Sequence, residues 1–149
     1  MQPSENIDVN TRELAIFMVG HMPCGLDTEL VQEIIKNSQI TVVHRAPEYV
    51  RGVINLRGEI ATIIDLRIKF KMEPYTQNQN MEIVVVRQGD EAIGLLVDRV
   101  NDVVIASKDD ISPPPSNVGN ITGAFFDGIF TMEQELVTVL NPKELLKDS

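Results

Sequence analysis

His21 and Cys24 are the two residues whose types and spacing come nearest to catalytic chemistry. A thiol three residues from an imidazole could act as an activated nucleophile, or the pair could supply half of a metal site. A structural zinc site needs about four ligands, and the sequence offers only this one cysteine and one further histidine, His44. The spacing therefore predicts neither a catalytic nor a metal-binding role for the pair.

Arg57 is the residue whose surroundings most clearly favour a binding function. Two apolar stretches rich in β-branched residues, 53–56 and 60–64, are separated only by Arg57, Gly58 and Glu59. This pattern predicts a β-hairpin, and a Gly at the second central position favours a type II turn. Arg57 would project from the turn, either solvated or as an interface anchor, since a guanidinium can pair with a carboxylate through two hydrogen bonds.

Two other residues of this hairpin have structural as well as functional interpretations. Gly52 suits a bulge or a close approach of two backbone segments. Asn55 can hydrogen-bond to backbone groups near the turn, or it can contact a partner. The hairpin contains no nucleophile–base pair, no metal-ligand spacing and no phosphate-binding loop. It therefore predicts a surface for binding, not a catalytic centre.

Composition and charge narrow the class of protein. The 149 residues suit one domain or two small subdomains, and 43% hydrophobic residues can form a core. With 22 acidic and 13 basic residues the net charge is −9, which argues against nucleic acid and anionic lipid as partners. One cysteine excludes an internal disulfide, and neither a signal peptide nor a membrane-spanning apolar run is evident. We therefore expect a cytoplasmic protein.

Strand patterns dominate the chain, with turns marked by glycine and proline. Alternating or β-branched apolar residues predict strands at 13–19, 39–43, 53–56, 60–64, 82–86, 92–97, 100–106, 121–126, 129–132 and 136–140. A short strand that ends at residue 26 is predicted after the first of these. Asp127-Gly128 is the strongest two-residue hairpin signal, and Gln88-Gly89-Asp90 predicts another hairpin. The proline-rich stretch 108–119 predicts a loop.

Helical spacing appears near residue 30 and at the C-terminus. The inward face of the first predicted helix consists of Leu30, Val31, Ile34 and Ile35, with Glu29, Glu33 and Lys36 outside. Asp27 or Thr28 would be its N-cap. Asn141-Pro142 predicts a terminal helix that turns Leu145 and Leu146 inward.

Many short strands, few helices and no alternation of strand and helix predict a mainly β fold, either a barrel or a sandwich. We expect one domain over residues 13–147, preceded by a flexible lead-in over 1–12. Polar residues at 70–80 predict a hinge between two halves that share a rhythm of strands and hairpins.

The hairpin also carries a family resemblance. The run Gly-Val-Ile-Asn-Leu-Arg-Gly at 52–58, followed by Ile-Ile-Asp-Leu-Arg at 63–67, resembles the central signature of the CheW family of bacterial chemotaxis adaptors. Similar segments follow in the family's order, so that the resemblance covers about residues 13–146. These segments are 17–20, 31–34, 94–98 with 103–104, 113–115, 121–123 and 136–146.

The resemblance implies a fold and a function. The fold would be two five-stranded β-barrels, similar to SH3 barrels, around a shared core. The function would be that of a non-catalytic adaptor, without a cofactor, that links transmembrane chemoreceptors to the regulatory domain of the histidine kinase CheA. Such an adaptor would be a monomer in isolation. It would be recruited to receptor arrays without inserting into the membrane.

The resemblance also assigns candidate binding residues to this chain. The receptor-binding candidates are Glu33, Arg57 and Asn55. The candidates for an interface with either the kinase or the receptor are Gly52, Val53 and Gly58.

Two departures from the family pattern and several alternatives remain. Cys24 stands where the family often has an aromatic residue, and the segment 123–135 is longer than usual. Its phenylalanines could form core, a partner surface or an aggregation-prone patch. The chain could also be a CheW-like module of a larger signalling protein, for example one with a receiver domain, or an adaptor in a non-swimming chemosensory pathway. A small β-barrel enzyme that uses Cys24 or His21 is a different class of alternative.

Overall fold

Strand pairing organises the structure, a computed structural model that describes residues 9–36, 39–74 and 80–147. Within those ranges the strands are β1 (Thr11–Val19), β2 (Met22–Asp27), β3 (Val31–Lys36), β4 (Val50–Leu56), β5 (Glu59–Asp65), β6 (Glu82–Gln88), β7 (Glu91–Val97), β8 (Arg99–Ser107), β9 (Asn117–Val118), β10 (Ile121–Thr122), β11 (Phe126–Met132) and β12 (Glu135–Leu140). The helices are α1 (Leu66–Lys69) and α2 (Pro142–Leu145), with 3₁₀ turns at Thr28–Leu30, Lys108–Asp110 and Gly123–Phe125.

Ten of these strands form two five-stranded sheets. The first sheet has the order β11-β12-β2-β1-β8, and the second has the order β3-β6-β7-β5-β4. The short strands β9 and β10 pair with each other. This architecture confirms the mainly β fold with two five-stranded units.

Each sheet is closed by backbone hydrogen bonds between its two outer edges. Thr41, which follows β3, exchanges two hydrogen bonds of 2.8 Å with Val53 of β4. Ser112, which follows β8, exchanges two hydrogen bonds of 2.8 Å with Ile129 of β11. Closure of this kind protects the strand edges that it joins. We call the closed sheet β11-β12-β2-β1-β8 barrel A and the closed sheet β3-β6-β7-β5-β4 barrel B.

The two halves of the chain repeat one order of elements. Each half has a hairpin, an outer strand, a second hairpin and a short helix: β1–β2, β3, β4–β5 and α1, then β6–β7, β8, β11–β12 and α2. The first hairpin of each half pairs in the barrel of the other half, since β2 lies parallel to β12 and β7 parallel to β5. The barrels are therefore intertwined. The domain bounds 13–147 and the hinge at 70–80 stay predictions, and residues 75–79 lie outside the described residues.

Among the residues that the structure describes, three clusters of buried apolar side chains hold the barrels together. The cluster inside barrel A contains Leu14, Ile16, Ala106, Phe130, Val137 and Val139. The cluster inside barrel B contains Ile54, Leu56, Ala61, Ile63, Ile83, Val85, Ala92 and Leu96. In the third cluster, Phe17 and Leu26 of barrel A share one core with Ile64 and Leu95 of barrel B. Because this cluster draws on both sheets, removing a large side chain from it weakens the packing between the barrels as well as within them.

The predicted helix near residues 30–36 is wrong. The segment forms strand β3, which pairs with β6, and only Thr28–Leu30 turns as a 3₁₀ helix. Asp27 makes no capping hydrogen bond there, and its carboxylate pairs with Arg12 instead. Residues such as Val31 and Ile34 pack readily on a pleated surface, so pairing with β6 wins over helical spacing. The strand predicted at 39–43 is also wrong, because within it the structure shows only the bridge at Thr41.

The hairpin predicted at Asp127-Gly128 is wrong as well. Both residues lie inside β11, at a shift of register between Phe126 and Gly128. A Cβ atom at Gly128 would stand 2.8 Å from the carbonyl oxygen of Ser112, so the glycine permits the closure of barrel A. The actual turn is Glu133-Gln134, where φ is 52° and 69°, and neither residue is typical of such a turn.

The long segment 123–135 contributes to the core. Phe126 and Phe130 are 3% and 7% exposed, in the shared core and in the core of barrel A respectively. Phe125 is partly buried and its ring centroid lies 6.2 Å from that of Phe70. For these phenylalanines the structure therefore supports the core interpretation.

The terminal helix is confirmed, and the lead-in is shorter than predicted. The side chain of Asn141 accepts a hydrogen bond from the backbone N–H of Glu144, and Pro142 follows at the first helical position. Leu145 and Leu146 are buried. At the other end, β1 begins at Thr11, so residues 11 and 12 of the predicted lead-in belong to barrel A, whereas residues 1–8 lie outside the described residues.

Candidate partner-binding surface

The turn between β4 and β5 determines where Arg57 projects. Arg57 and Gly58 have φ values of 52° and 88° between paired residues Leu56 and Glu59. Two positive φ values are typical of a type I′ turn, so the predicted type II turn is wrong. Type I′ matches the right-handed twist of the flanking strands, which explains why a non-glycine residue tolerates this conformation here.

Asn55 fixes this turn through its side chain. Its Oδ1 atom accepts a hydrogen bond of 2.8 Å from the backbone N–H of Gly58. This is the structural interpretation that the sequence allowed for Asn55. The bond limits the freedom of the two turn residues, so Asn55 positions Arg57 whether or not it also contacts a partner.

Arg57 forms a two-point ion pair with Glu33 of β3. Nη1 lies 3.3 Å from Oε2, and Nη2 donates to Oε1. The hydrogen bond and the negative charge of Glu33 both raise the pKa of Arg57. The Arg57 side chain is 70% exposed whereas that of Glu33 is 24% exposed. Glu33 therefore holds the exposed guanidinium of Arg57 in place.

This ion pair crosses from one edge of barrel B to the other. Glu33 lies on the outer strand β3, and Arg57 follows the opposite outer strand β4. The two candidates, 24 residues apart in the chain, are thus brought together by barrel closure.

A second pair of charges stands at the same end of barrel B. Arg87 donates to Glu59 at 3.1 and 2.6 Å, to the side chain of Gln32 at 2.9 Å and to the carbonyl of Asp90 at 2.9 Å. The hydrogen bond from Arg87 lowers the pKa of Glu59. Sequence reasoning missed Glu59 and Arg87. The parallel pairing of β5 with β7 could have identified both residues, because it places the turns before these two strands side by side.

Gly52 allows barrel B to close. Its φ is 146°, and a Cβ atom there would stand 2.1 Å from the carbonyl oxygen of Thr41. The register of β4 and β5 shifts between Val50 and Gly52, and Val53 makes the closing bridge. The predicted bulge and close approach are confirmed. Gly58, in contrast, has open space where a Cβ would stand.

Exposed aliphatic side chains lie on the same segments of barrel B as the charged candidates and the closing bridge. Ile34 on β3 and Ile60 on β5 are 43% and 57% exposed. Val42 and Val43, beside the closing bridge, are 68% and 41% exposed. Exposed aliphatic residues on the barrel that also carries an ordered arginine are suited to protein contacts, in which apolar area and a few charged anchors act together.

A separate cleft of about 860 Å³ lies between barrel A and the segments that follow β5 and β7 of barrel B. Its apolar lining is rich in methionine and consists of Met18, Met22, Pro23, Met72, Val118 and Leu136. Arg67 pairs with Asp98 in its wall, with Nε 3.2 Å from Oδ1. Neither Glu33 nor Arg57 belongs to the lining. The groove between the halves and the Arg57–Glu33 pair are therefore distinct places on the surface.

Cys24 is unsuited to nucleophilic chemistry in the folded state. Its side chain is fully buried, and burial raises the pKa of its thiol to about 12, with the hydroxyl of Thr138 acting weakly in the opposite direction. A protonated, buried thiol does not react as a nucleophile. In the described part of the chain no three His, Cys, Asp or Glu residues are grouped to hold a metal ion. None of the described helices is long and apolar enough to span a membrane.

Two closed five-stranded barrels with exposed charged and aliphatic residues define an interaction module. Residues 13–149 match the CheW-like domain, and the chain therefore belongs to the CheW-like domain family. It is 31% identical to the chemotaxis protein CheW of Klebsiella aerogenes, over 91% of this chain and 81% of that protein. It is 33% identical to CheW of Helicobacter pylori, over 88% of this chain and 79% of that protein.

A solved structure agrees with this assignment. The scaffolding protein TtCheW of Thermoanaerobacter tengcongensis superposes with a TM-score of 0.80 at 31% identity. The superposition covers 87% of this chain and 88% of that chain. The family is one of non-catalytic adaptors in chemotaxis.

Proposed function

We propose that this chain is a non-catalytic adaptor that couples transmembrane chemoreceptors to the histidine kinase CheA in bacterial chemotaxis. The observation that carries the proposal is the match to the CheW-like domain over residues 13–149, together with relatives that align over most of both chains. The protein would act in the cytoplasm and join receptor arrays through its partners. The isolated chain would be a monomer.

The receptor tip would bind at the Arg57 end of barrel B. A guanidinium has five N–H donors, so Arg57 can hold Glu33 and still donate to a carboxylate or carbonyl of the receptor. Because Glu33 and Asn55 already fix its position, less side-chain entropy is lost on binding than for an unsupported arginine. The exposed Ile34 and Ile60 would supply apolar contact area to a helical hairpin.

The kinase would bind a second surface through its own regulatory domain, whose fold the family resemblance relates to this one. Gly52, Val53 and Gly58 are the candidates for an interface with either the kinase or the receptor. Gly52 is buried and Val53 is partly buried in β4, and Gly58 lies in the turn beside Arg57. Two related folds can meet barrel to barrel, with equivalent strands on each side of the interface.

Coupling then follows from geometry and mass action. An adaptor that binds both partners raises their effective concentration, so that contacts of order micromolar affinity, about −8 kcal/mol, suffice in an array. A shift in the receptor changes the relative populations of active and inactive kinase if the two states differ in their affinity for the adaptor surface.

Pairwise titration tests the proposal. The purified chain is titrated by calorimetry with the kinase regulatory domain and, separately, with a soluble receptor tip from the same organism. We expect saturable binding to both, with dissociation constants of order micromolar. If the chain binds neither cognate partner, the adaptor function is wrong.

A further inference from the structure

Arg87 is the centre of a hydrogen-bond network at one end of barrel B. Its Nη1 atom donates to the side-chain oxygen of Gln32 at 2.9 Å and to Glu59 at 3.1 Å. Its Nη2 atom donates to Glu59 at 2.6 Å and to the carbonyl oxygen of Asp90 at 2.9 Å. A guanidinium has five N–H donors, and the chain itself uses four of those of Arg87. One side chain therefore joins β3, β5, β6 and the turn before β7.

Arg57 differs from Arg87 in the number of donors that it retains. Among the described residues, Arg57 uses two N–H groups on Glu33, so three remain for a partner. Arg87 retains only its Nε–H. The side chain of Arg57 is also the more exposed of the two. Arg57 is therefore suited to contact a partner, whereas Arg87 is suited to hold neighbouring parts of the chain in place.

A β-bulge connects this network to Glu33. The register between β3 and β6 shifts between Val31 and Glu33, so Gln32 is the additional residue. Val31 packs against the shared core, whereas Ile35 packs against the core of barrel B. In a regular strand these two residues would face the same side, so the bulge changes the face from which Glu33 projects. By binding Gln32, Arg87 holds the bulge that directs Glu33 towards Arg57.

Glu59 is a second carboxylate within reach of Arg57. The two residues flank Gly58 in the turn, so their Cα atoms lie no more than about 7 Å apart. In the structure Glu59 pairs with Arg87 and Arg57 pairs with Glu33. Without Arg87, the Glu59 carboxylate would lie unpaired beside a guanidinium that has unused donors, and the two groups would attract each other.

We propose that Arg87 is a positioning residue for receptor binding, which holds Gln32 and Glu59 so that Arg57 pairs with Glu33 alone. The three remaining donors of Arg57 then stay available to the receptor. In the absence of Arg87, Glu59 takes up some of these donors. It also adds an uncompensated negative charge that repels a carboxylate of the partner.

This inference rests on the proposed function, because it concerns the end of barrel B at which the receptor tip would bind. It adds to that function a residue that does not contact the receptor and acts through Arg57. The loss caused by removal of Arg87 should therefore depend on the charge of Glu59, which a merely structural role of Arg87 would not require.

Calorimetric titration with the soluble receptor tip tests this dependence. We expect Arg87→Ala to weaken receptor binding about fivefold. The double variant Arg87→Ala/Glu59→Gln should recover to within about twofold of the wild type, because the competing carboxylate is gone. Glu59→Gln alone should bind at least as tightly as the wild type. Unchanged affinity of Arg87→Ala, or a double variant as weak as Arg87→Ala, overturns the proposal.

Lys36→Ala is the matched control for Arg87→Ala. It removes the ion pair between Lys36 and Glu82, which joins the same two strands, β3 and β6, at the other end of β3. We expect this variant to bind the receptor tip as the wild type does. Equal weakening by Lys36→Ala and Arg87→Ala would show that any loosening of these strands lowers affinity, and it would overturn the specific role of Arg87.

A measurement without receptor separates this inference from the adaptor function. The hydrogen bond from Arg87 lowers the pKa of Glu59 in the wild type, and a pH titration of the carboxyl carbon by NMR follows this group. In Arg87→Ala we expect the pKa of Glu59 to stay lower than in Arg87→Ala/Arg57→Ala, since Arg57 takes the place of Arg87. Equal values in the two variants overturn the inference. A wild type that does not bind the receptor tip contradicts the proposed function instead, and the titration still decides whether Arg87 keeps Glu59 from Arg57.

Discussion

Gly52 and Gly128 occupy equivalent positions in the two halves of the chain. Each follows a shift of strand register, and each immediately precedes the residue that closes its barrel, Val53 or Ile129. A Cβ atom at either glycine would stand 2.1 or 2.8 Å from the carbonyl oxygen of the closing partner, Thr41 or Ser112. Barrel closure in both halves therefore depends on a glycine.

Replacement of Gly52 should unfold or strongly weaken barrel B. Gly52→Ala collides with the backbone of Thr41 and is strained at a φ of 146°, so we expect a loss of more than about 3 kcal/mol in the free energy of unfolding. Gly58→Ala is the matched control, because its Cβ meets open space and only the positive φ costs about 1 kcal/mol. Urea denaturation measures both. If Gly52→Ala is as stable as Gly58→Ala, the close approach does not limit stability.

Loss of the Arg57–Glu33 pair should impair receptor binding and leave the fold intact. Both side chains lie at the surface, so Arg57→Ala and Glu33→Ala should change the melting temperature by no more than about 2 °C. Receptor affinity should fall about tenfold because the guanidinium is lost or is no longer held in place.

Lys147→Ala provides the control for this pair. It breaks the exposed ion pair with Glu144 of α2, which is not part of barrel B, and should bind receptor as the wild type does. A large drop in melting temperature for either Arg57→Ala or Glu33→Ala would instead make the pair structural. Unchanged receptor affinity in both would place the receptor site elsewhere.

The variant Asn55→Ala distinguishes two roles of Asn55, which are to position the turn and to contact the receptor directly. Removal of the hydrogen bond to Gly58 should cost about 1 kcal/mol of stability. It should weaken receptor binding less than Arg57→Ala does, because Glu33 still holds the guanidinium. Calorimetric titration with the receptor tip compares the two variants. A loss equal to or larger than that of Arg57→Ala would show that Asn55 contacts the receptor itself.

Cys24 gives a prediction about alkaline pH. Burial raises its pKa from its ordinary value of 9.0 to about 12. The unfolded thiol therefore loses its proton first, so the stabilising contribution is complete below about pH 9 and is lost as the pH rises towards 12. Cys24→Ala should flatten this part of the stability profile relative to wild type. At pH 8, a thiol reagent should modify native protein no faster than the protein unfolds, and rapid stoichiometric modification would contradict the burial.

The hairpins were predictable because their loops are short. The contacts between residues distant in sequence were not predictable. The segments around Arg57-Gly58 and Gly89-Asp90 were recognisable because apolar strands flank two-residue turns with glycine. The Arg57–Glu33 contact depends on barrel closure, which joins segments distant in sequence. A pattern among neighbouring residues therefore cannot predict this contact.

The wrong predictions have specific physical causes. The residues of β3 also satisfy helical spacing, and pairing with β6 decides between the two periodicities. Asp127-Gly128 is a strong turn signal, yet there the glycine serves the close approach to Ser112 instead. Glu133 and Gln134 carry no turn signal and adopt positive φ because the strands on both sides are fixed.

The most direct test of the adaptor function is a three-component sedimentation assay. Membranes that contain the cognate chemoreceptor are mixed with CheA-type kinase, with and without this protein, and the kinase in the pellet is measured. We expect the protein to raise pelleted kinase severalfold, and we expect Arg57→Ala to reduce that rise to roughly half while it still binds the isolated kinase. Equal amounts of pelleted kinase with and without the wild-type protein, at concentrations of about ten times the pairwise dissociation constants, would contradict the coupling function.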